Sequence, residues 1–195
     1  MTKDTLGKIF LVLWIIIVST VISFQMAGHL LTMPIPKNLE KMSEKIDELK
    51  GSKSITGLHI VFDKCSCTNS LINSLLRNPS KSEVDEFVLW VGTKESLGVT
   101  RETNLSKLGY NIIYLTPETL KHRFGVEVAP ILVLKEGEDL RYLGGYYDRP
   151  GSTQSYEKEI IEAVLTRKIP KSLPVYGCAV SQDLQKIIDP LSILY

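Results

Sequence analysis

The stretch ITGLHIVFDKCSCTNSLINSLLR, residues 55–77, decides the fold. Its first part, Ile55 to Phe62, reads as a strand, ending in an apolar run from Leu58 to Phe62 broken only by His59. Its last part changes period: Leu71, Ile72, Leu75 and Leu76 fall on one helical face. Thr68, Asn69 and Ser70 stand before that face, and their side-chain oxygens suit a helix start. Cys65-Ser66-Cys67 lies at the junction. Thiols placed there meet unpaired N–H groups and the positive end of the helix dipole, which favour thiolate, the reactive form. A redox site is expected, with a metal site as its competitor.

The same alternation continues downstream. Glu86 to Val91 reads as a second strand, its unbroken apolar run pointing to burial on both faces of a parallel sheet. A weaker helical stretch follows, Lys94 to Leu108, punctuated by Gly98, and then a third strand, Asn111 to Leu115. Thr116-Pro117-Glu118 is a helix start, with a capping hydroxyl, proline in the first turn and an early carboxylate. Gly125 ends that helix, Ala129-Pro130 leads into a strand over Ile131 to Leu134, and Glu136 to Asp139 turns the chain back into Leu140 to Leu143. Ser155 to Arg167 is the last strongly periodic helix. Alternating strands and helices predict an α/β fold, an open sheet with helices on both faces. Chemistry on such sheets gathers at the carboxyl ends of strands, where Cys65 and Cys67 lie.

Upstream, no Asp, Glu, Lys or Arg occurs between Lys8 and Lys37, and Ile9 to Phe24 is almost wholly apolar. A membrane-spanning helix needs roughly 20 mostly apolar residues, so this stretch reads as one N-terminal transmembrane helix. A cleaved signal peptide is the alternative, with Met26-Ala27-Gly28 a poor version of its cleavage site. Lys3 and Lys8 before the span are opposed by Lys37, Lys41 and Lys45 after it, which leaves the charge rule undecided. A short leading tail held inside would place the main domain outside the cytoplasm, where thiols can be oxidised. Leu39, Met42, Ile46 and Leu49 then form the stripe of a short amphipathic helix, a spacer that packs on its own domain or a dimer seam.

The boundaries expected are a tail and anchor over 1–31, a linker with its helix over 32–54, a globular domain over 55–168 and a tail over 169–195 packed on that domain. The formal net charge of +1 gives no electrostatic case for nucleic acid. Three cysteines are too few for a disulfide scaffold and lack zinc-ribbon spacing. A Cys65–Cys67 bond closes a one-residue loop, which reaches disulfide geometry only with strain, so the expected poise is that of an oxidant or isomerase. Cys178, after Gly177, is a candidate resolving thiol if the tail folds back, or else a small buried apolar residue. His29, His59 and His122 read as structural or solvated, Trp90 as core, and Arg141 and Tyr142 as a solvated hairpin face.

The ordered set resembles the thioredoxin-like fold in its membrane-anchored TlpA and ResA form, over about residues 55–168. The cysteines follow the first core strand. Gly125-Val126-Glu127-Val128-Ala129-Pro130 is similar to the segment ending in the family's cis-proline, and EGEDLRYLGG, residues 136–145, to its closing hairpin. The family's Cys-x-x-Cys is absent. Counting from Phe62, one register matches Cys67 to the family's nucleophile with Ser70 at its partner's position; the other makes Cys65 and Cys67 the pair. The resemblance implies thiol–disulfide exchange with protein substrates, with Cys65, Cys67 and Pro130 as site residues and no cofactor; Cys178, outside its span, joins them as the candidate brought by a folded-back tail. Copper(I) carriage by an assembly factor, and a non-catalytic interaction domain, are the alternatives. The sequence leaves oligomeric state and redox direction open.

Overall fold

The computed structural model describes residues 3–30, 32–36, 38–49 and 51–189. Lys37, Lys50 and the last residues of the tail lie outside the described residues. Helix α1 covers Lys3–Leu30. Its described side chains run without a break from residue 7 to 23, and the large apolar ones, Phe10, Trp14 and Ile17 among them, are exposed. Among the described residues no helix is long and apolar enough to cross a membrane. The side chains of His29 and of Met26-Ala27-Gly28 lie outside those described.

The central sheet has the order β3-β2-β1-β5-β6. Strands β1 (Ile55–Phe62), β2 (Val84–Val91) and β3 (Asn111–Leu115) are parallel, and the hairpin β5 (Ile131–Glu136) and β6 (Asp139–Gly144) runs against β1. The strand period of two divides the apolar runs between two cores. Leu58, Ile60, Phe62, Phe87, Leu89, Val91, Ile131 and Val133 face one side. Val61, Val84, Val88, Trp90, Leu132 and Leu134 face the other. Both faces are covered, which is why these strands read as continuous rather than alternating.

Helices α3 (Thr68–Arg77), α5 (Val99–Lys107) and α7 (Glu157–Leu165) fill the second side with Leu71, Ile72, Leu75, Leu105, Ile160 and Val164. The short α4 (Lys94–Leu97) precedes α5, and Gly98 separates them. On the first side lie α2 (Leu39–Asp47), capped by Asn38, and α6 (Pro117–Thr119), which widens into a π-helical turn over Leu120–Phe124. Gly125 ends that turn in the left-handed conformation, φ 67°, where a Cβ would be strained. Met42 and Ile46 are buried in the domain's own core, so α2 packs on its own chain, and Lys135 pairs with Asp47 to hold it there.

Two expectations change. Tyr142 is buried rather than solvated, its hydroxyl donating to the Gly145 carbonyl at 2.6 Å, because the tail covers the hairpin. The tail carries structure that no strong periodicity announced: β7 (Cys178–Ala179) and α8 (Gln182–Ile188). β7 pairs antiparallel with β4 (Val128–Ala129), Ala129 opposite Cys178. Upstream in the tail, Val175 bridges to Met33, whose N–H donates to the Val175 carbonyl at 2.8 Å.

Candidate functional site

The loop after β1 is shaped by its own backbone. Cys65 N–H donates to the Phe62 carbonyl and Thr68 N–H to the Cys65 carbonyl, both at 3.1 Å, while the buried Thr68 hydroxyl also donates to Phe62. These bonds turn the chain from strand into α3 and direct Cys65 into the core, where it is 3% exposed. Cys67 takes the N-cap position of α3 and is half-buried.

Three sulfurs meet here. Cys65 forms a disulfide with Cys178, Cα to Cα 5.7 Å, across a sequence separation of 113. The free Cys67 Sγ lies 2.7 Å from the Cys65 Sγ. All three Sγ atoms lie within 4.8 Å of one another. The sequence reading left two partners open for Cys65, the neighbouring Cys67 and a folded-back Cys178; the structure pairs Cys65 with Cys178, which β7 carries into place beside β4. The Ala129–Pro130 bond is cis, and the Ala129 carbonyl lies 3.8 Å from the Cys65 Sγ.

The thiolate expected at the helix start is not favoured. Burial pushes the Cys67 thiol up to about 11, and the hydrogen bond from its own backbone N–H only partly offsets this. The helix dipole is worth well under the desolvation of a charged sulfur here.

A cleft of about 550 Å³ opens over the sulfurs, with Met33, Lys64, Tyr147, Arg149 and Tyr176 in its walls. None of these five was singled out by sequence reasoning as part of the site. They come from four separate segments, Tyr147 and Arg149 sharing one, so only the fold assembles them. Gly177 is fitted tightly: a Cβ there would stand 2.1 Å from the Ala129 carbonyl oxygen and 2.8 Å from Pro130 Cδ. A further depression of about 580 Å³ lies over α4 and α5, walled by Lys94, Glu102 and Lys107, with no thiol near it.

His59 belongs to a different cluster, buried on the opposite side of the sheet. Its Nε2 lies 3.0 Å from Glu86 Oε2 and its Nδ1 3.0 Å from the Tyr146 hydroxyl. Glu86 also accepts from Lys81 N–H at 2.8 Å and from the Ser80 hydroxyl at 3.1 Å. Glu157 completes the group, one of its carboxyl oxygens buried with no hydrogen-bond partner. Burial pushes the Glu157 carboxyl up to about 7, against the pull of His59. Burial alone would lower His59, but its bond to Glu86 raises it above the usual value.

This cluster sets a pH dependence. A carboxyl raised from 4.5 to about 7 contributes stability that is complete below pH 4.5 and is lost as pH climbs through 7. The raised His59 loses its contribution in the same direction. Glu157→Gln keeps the neutral shape, so it is expected to match the wild type at pH 4 and to exceed it by about 3 kcal/mol at pH 8. Urea unfolding at the two pH values measures this, and an unchanged difference between them contradicts it.

No family model matches the chain, and no curated protein matches it. Its likenesses are to solved structures. An uncharacterized conserved protein from Geobacillus kaustophilus aligns with TM-score 0.53 and 14% identity, over 66% of this chain and 77% of that one. A hypothetical protein from Sinorhizobium meliloti 1021 aligns with TM-score 0.53 and 15% identity, over 78% of this chain and 91% of that one. A thioredoxin-like protein in the oxidized form aligns with TM-score 0.45 and 15% identity, over 63% of this chain and 84% of that one. These are likenesses of fold: a mixed α/β arrangement with a central sheet flanked by helices.

Proposed function

We propose that this protein is a membrane-tethered thiol–disulfide exchange protein, acting outside the cytoplasm on cysteines of other proteins. The observation that carries the reading is the meeting of three sulfurs at the carboxyl end of β1, beside Pro130, under an open cleft. The exchange runs as follows. A substrate thiolate attacks one sulfur of the Cys65–Cys178 disulfide, and the other sulfur leaves as a thiolate. The second substrate thiol then displaces the bound sulfur, so the substrate gains a disulfide and the protein pair gains its two electrons and two protons. No organic cofactor is required. The tether is the part of α1 after Lys8, which carries no Asp, Glu, Lys or Arg and whose large apolar side chains are exposed.

The test is mass spectrometry after thiol labelling, joined to rescue of a scrambled disulfide protein. One labelled thiol, Cys67, is expected in the oxidised protein and three after reduction, with rescue by the wild type. Three labels without reduction, or no rescue, overturns the reading.

The same sulfurs favour a second reading. Once the Cys65–Cys178 disulfide is reduced, the three cysteines offer an all-sulfur donor set with Met33 in the cleft wall, and soft sulfur suits copper(I). Stoichiometric copper(I) retention by the reduced protein, without rescue activity, supports carriage over exchange.

A further inference from the structure

Away from the sulfurs, three ionisable side chains meet in the closed interior. His59 stands in β1, Glu86 in the adjacent β2, and Glu157 is the first residue of α7. They are 0%, 1% and 2% exposed. One ligand atom from each lies within 4.8 Å of the other two. Among the described residues neither carboxylate forms an ion pair with a lysine or arginine, so two carboxylates face a single imidazole. Glu157 Oε2 has no hydrogen-bond partner there. A buried polar atom left bare is costly, and its presence beside two further donors points to an occupant.

We propose that His59, Glu86 and Glu157 hold a zinc-class divalent cation that fastens α7 to the sheet. The surroundings already orient the donors. The Tyr146 hydroxyl donates to the Ile131 carbonyl at 3.3 Å, which leaves its oxygen to accept from His59 Nδ1–H at 3.0 Å. In the neutral ring Nε2 then carries the lone pair a metal takes. The Glu86 Oε1 atom is held by Lys81 N–H and the Ser80 hydroxyl, so its Oε2 turns toward His59 and the site. These are the outer partners that ligating groups require. One imidazole and two carboxylates suit zinc and its neighbours, and their two negative charges balance a divalent ion.

The size also fits. Zinc holds such donors at about 2.0–2.2 Å, so two of them on one ion stand at most about 4.4 Å apart. The Glu157 side chain closes the remaining gap by moving about 0.4 Å. The second Glu157 oxygen makes up the fourth ligand. Because all three side chains are buried, the ion enters as the chain folds. The pH dependence described above belongs to the metal-free chain, and the site stands whether or not the sulfurs exchange.

The test uses the full chain in detergent with Cys67→Ser, so that the Cys65–Cys178 disulfide leaves no thiol to compete for metal. Refolding from urea with zinc is expected to leave one zinc per chain after desalting and to raise the unfolding midpoint. Cobalt(II) in its place should give visible d–d bands without a thiolate charge-transfer band. Glu157→Gln keeps the side-chain shape, and should refold, bind at least tenfold more weakly and lose the zinc-dependent rise. Glu159→Gln, exposed on the same helix, should keep both. Less than a tenth of a zinc per chain, a midpoint that zinc does not move, or equal retention by Glu157→Gln overturns the site.

Discussion

Replacing Cys65 with serine is expected to reduce disulfide exchange by about 100-fold or more. Cys65 is the sulfur that both others touch: Cys178 through its disulfide and Cys67 at 2.7 Å. Without it, the remaining free thiol near the helix start is Cys67, and burial holds that thiol near 11. At pH 7 its thiolate fraction is then about one part in ten thousand. Cys178→Ser removes one half of the disulfide that carries the exchange but leaves Cys65 beside Cys67, so it is expected to cost less than Cys65→Ser. Alkylation of Cys67 should climb about tenfold for each pH step of one from 7 toward 11. Rescue of scrambled substrate measures the first effect and a maleimide pH profile the second. Wild-type exchange by Cys65→Ser, or a labelling plateau below pH 9, contradicts the assignment of Cys65 as the hub.

The second large effect is structural. Glu86→Ala is expected to lower the unfolding free energy by about 3–5 kcal/mol, the cost of leaving a buried partner uncompensated. Glu86 lies in β2 with both carboxyl oxygens engaged, by His59 on one and by Ser80 and Lys81 on the other. Burial works against its ionisation, yet the bond from His59 and the surrounding donors hold it below the usual carboxylate range. Its contribution is thus present above pH 4.5 and is lost in acid. Glu86→Gln keeps an acceptor for Lys81 N–H and is expected to cost less. Urea unfolding at pH 7 compares the two, and equal losses would place the effect in packing rather than in the ion pair.

The central strands were legible because each apolar run is buried on both faces. Leu58, Ile60 and Phe62 enter one core while Val61 enters the other, so no polar residue interrupts the run except His59. His59 is tolerated there because Glu86 and Tyr146 satisfy both ring nitrogens. Asn38, Thr116 and Gly125 mark helix ends by local chemistry, and the chain obeys them. The tail was harder to read. β7 is two residues long, and α8 has no buried residue in its own span, so neither imprints a period. The pairing of Cys178 with Cys65 depends on that tail and lay beyond any spacing rule. Cys67 was misjudged for a related reason: local sequence shows the helix end but not the covering that desolvates the sulfur.

The bridge between Met33 and Val175 fixes more than the tail. Met33 walls the cleft and stands three residues after Leu30, where α1 ends. Three extended residues reach about 11 Å at most. In the tethered form proposed above, with α1 in lipid, the sulfurs would hang close against the bilayer surface instead of reaching into the surrounding compartment. Cysteines held just above the headgroups would then come within range, and those on a bulky freely diffusing protein would meet the lipid before the cleft.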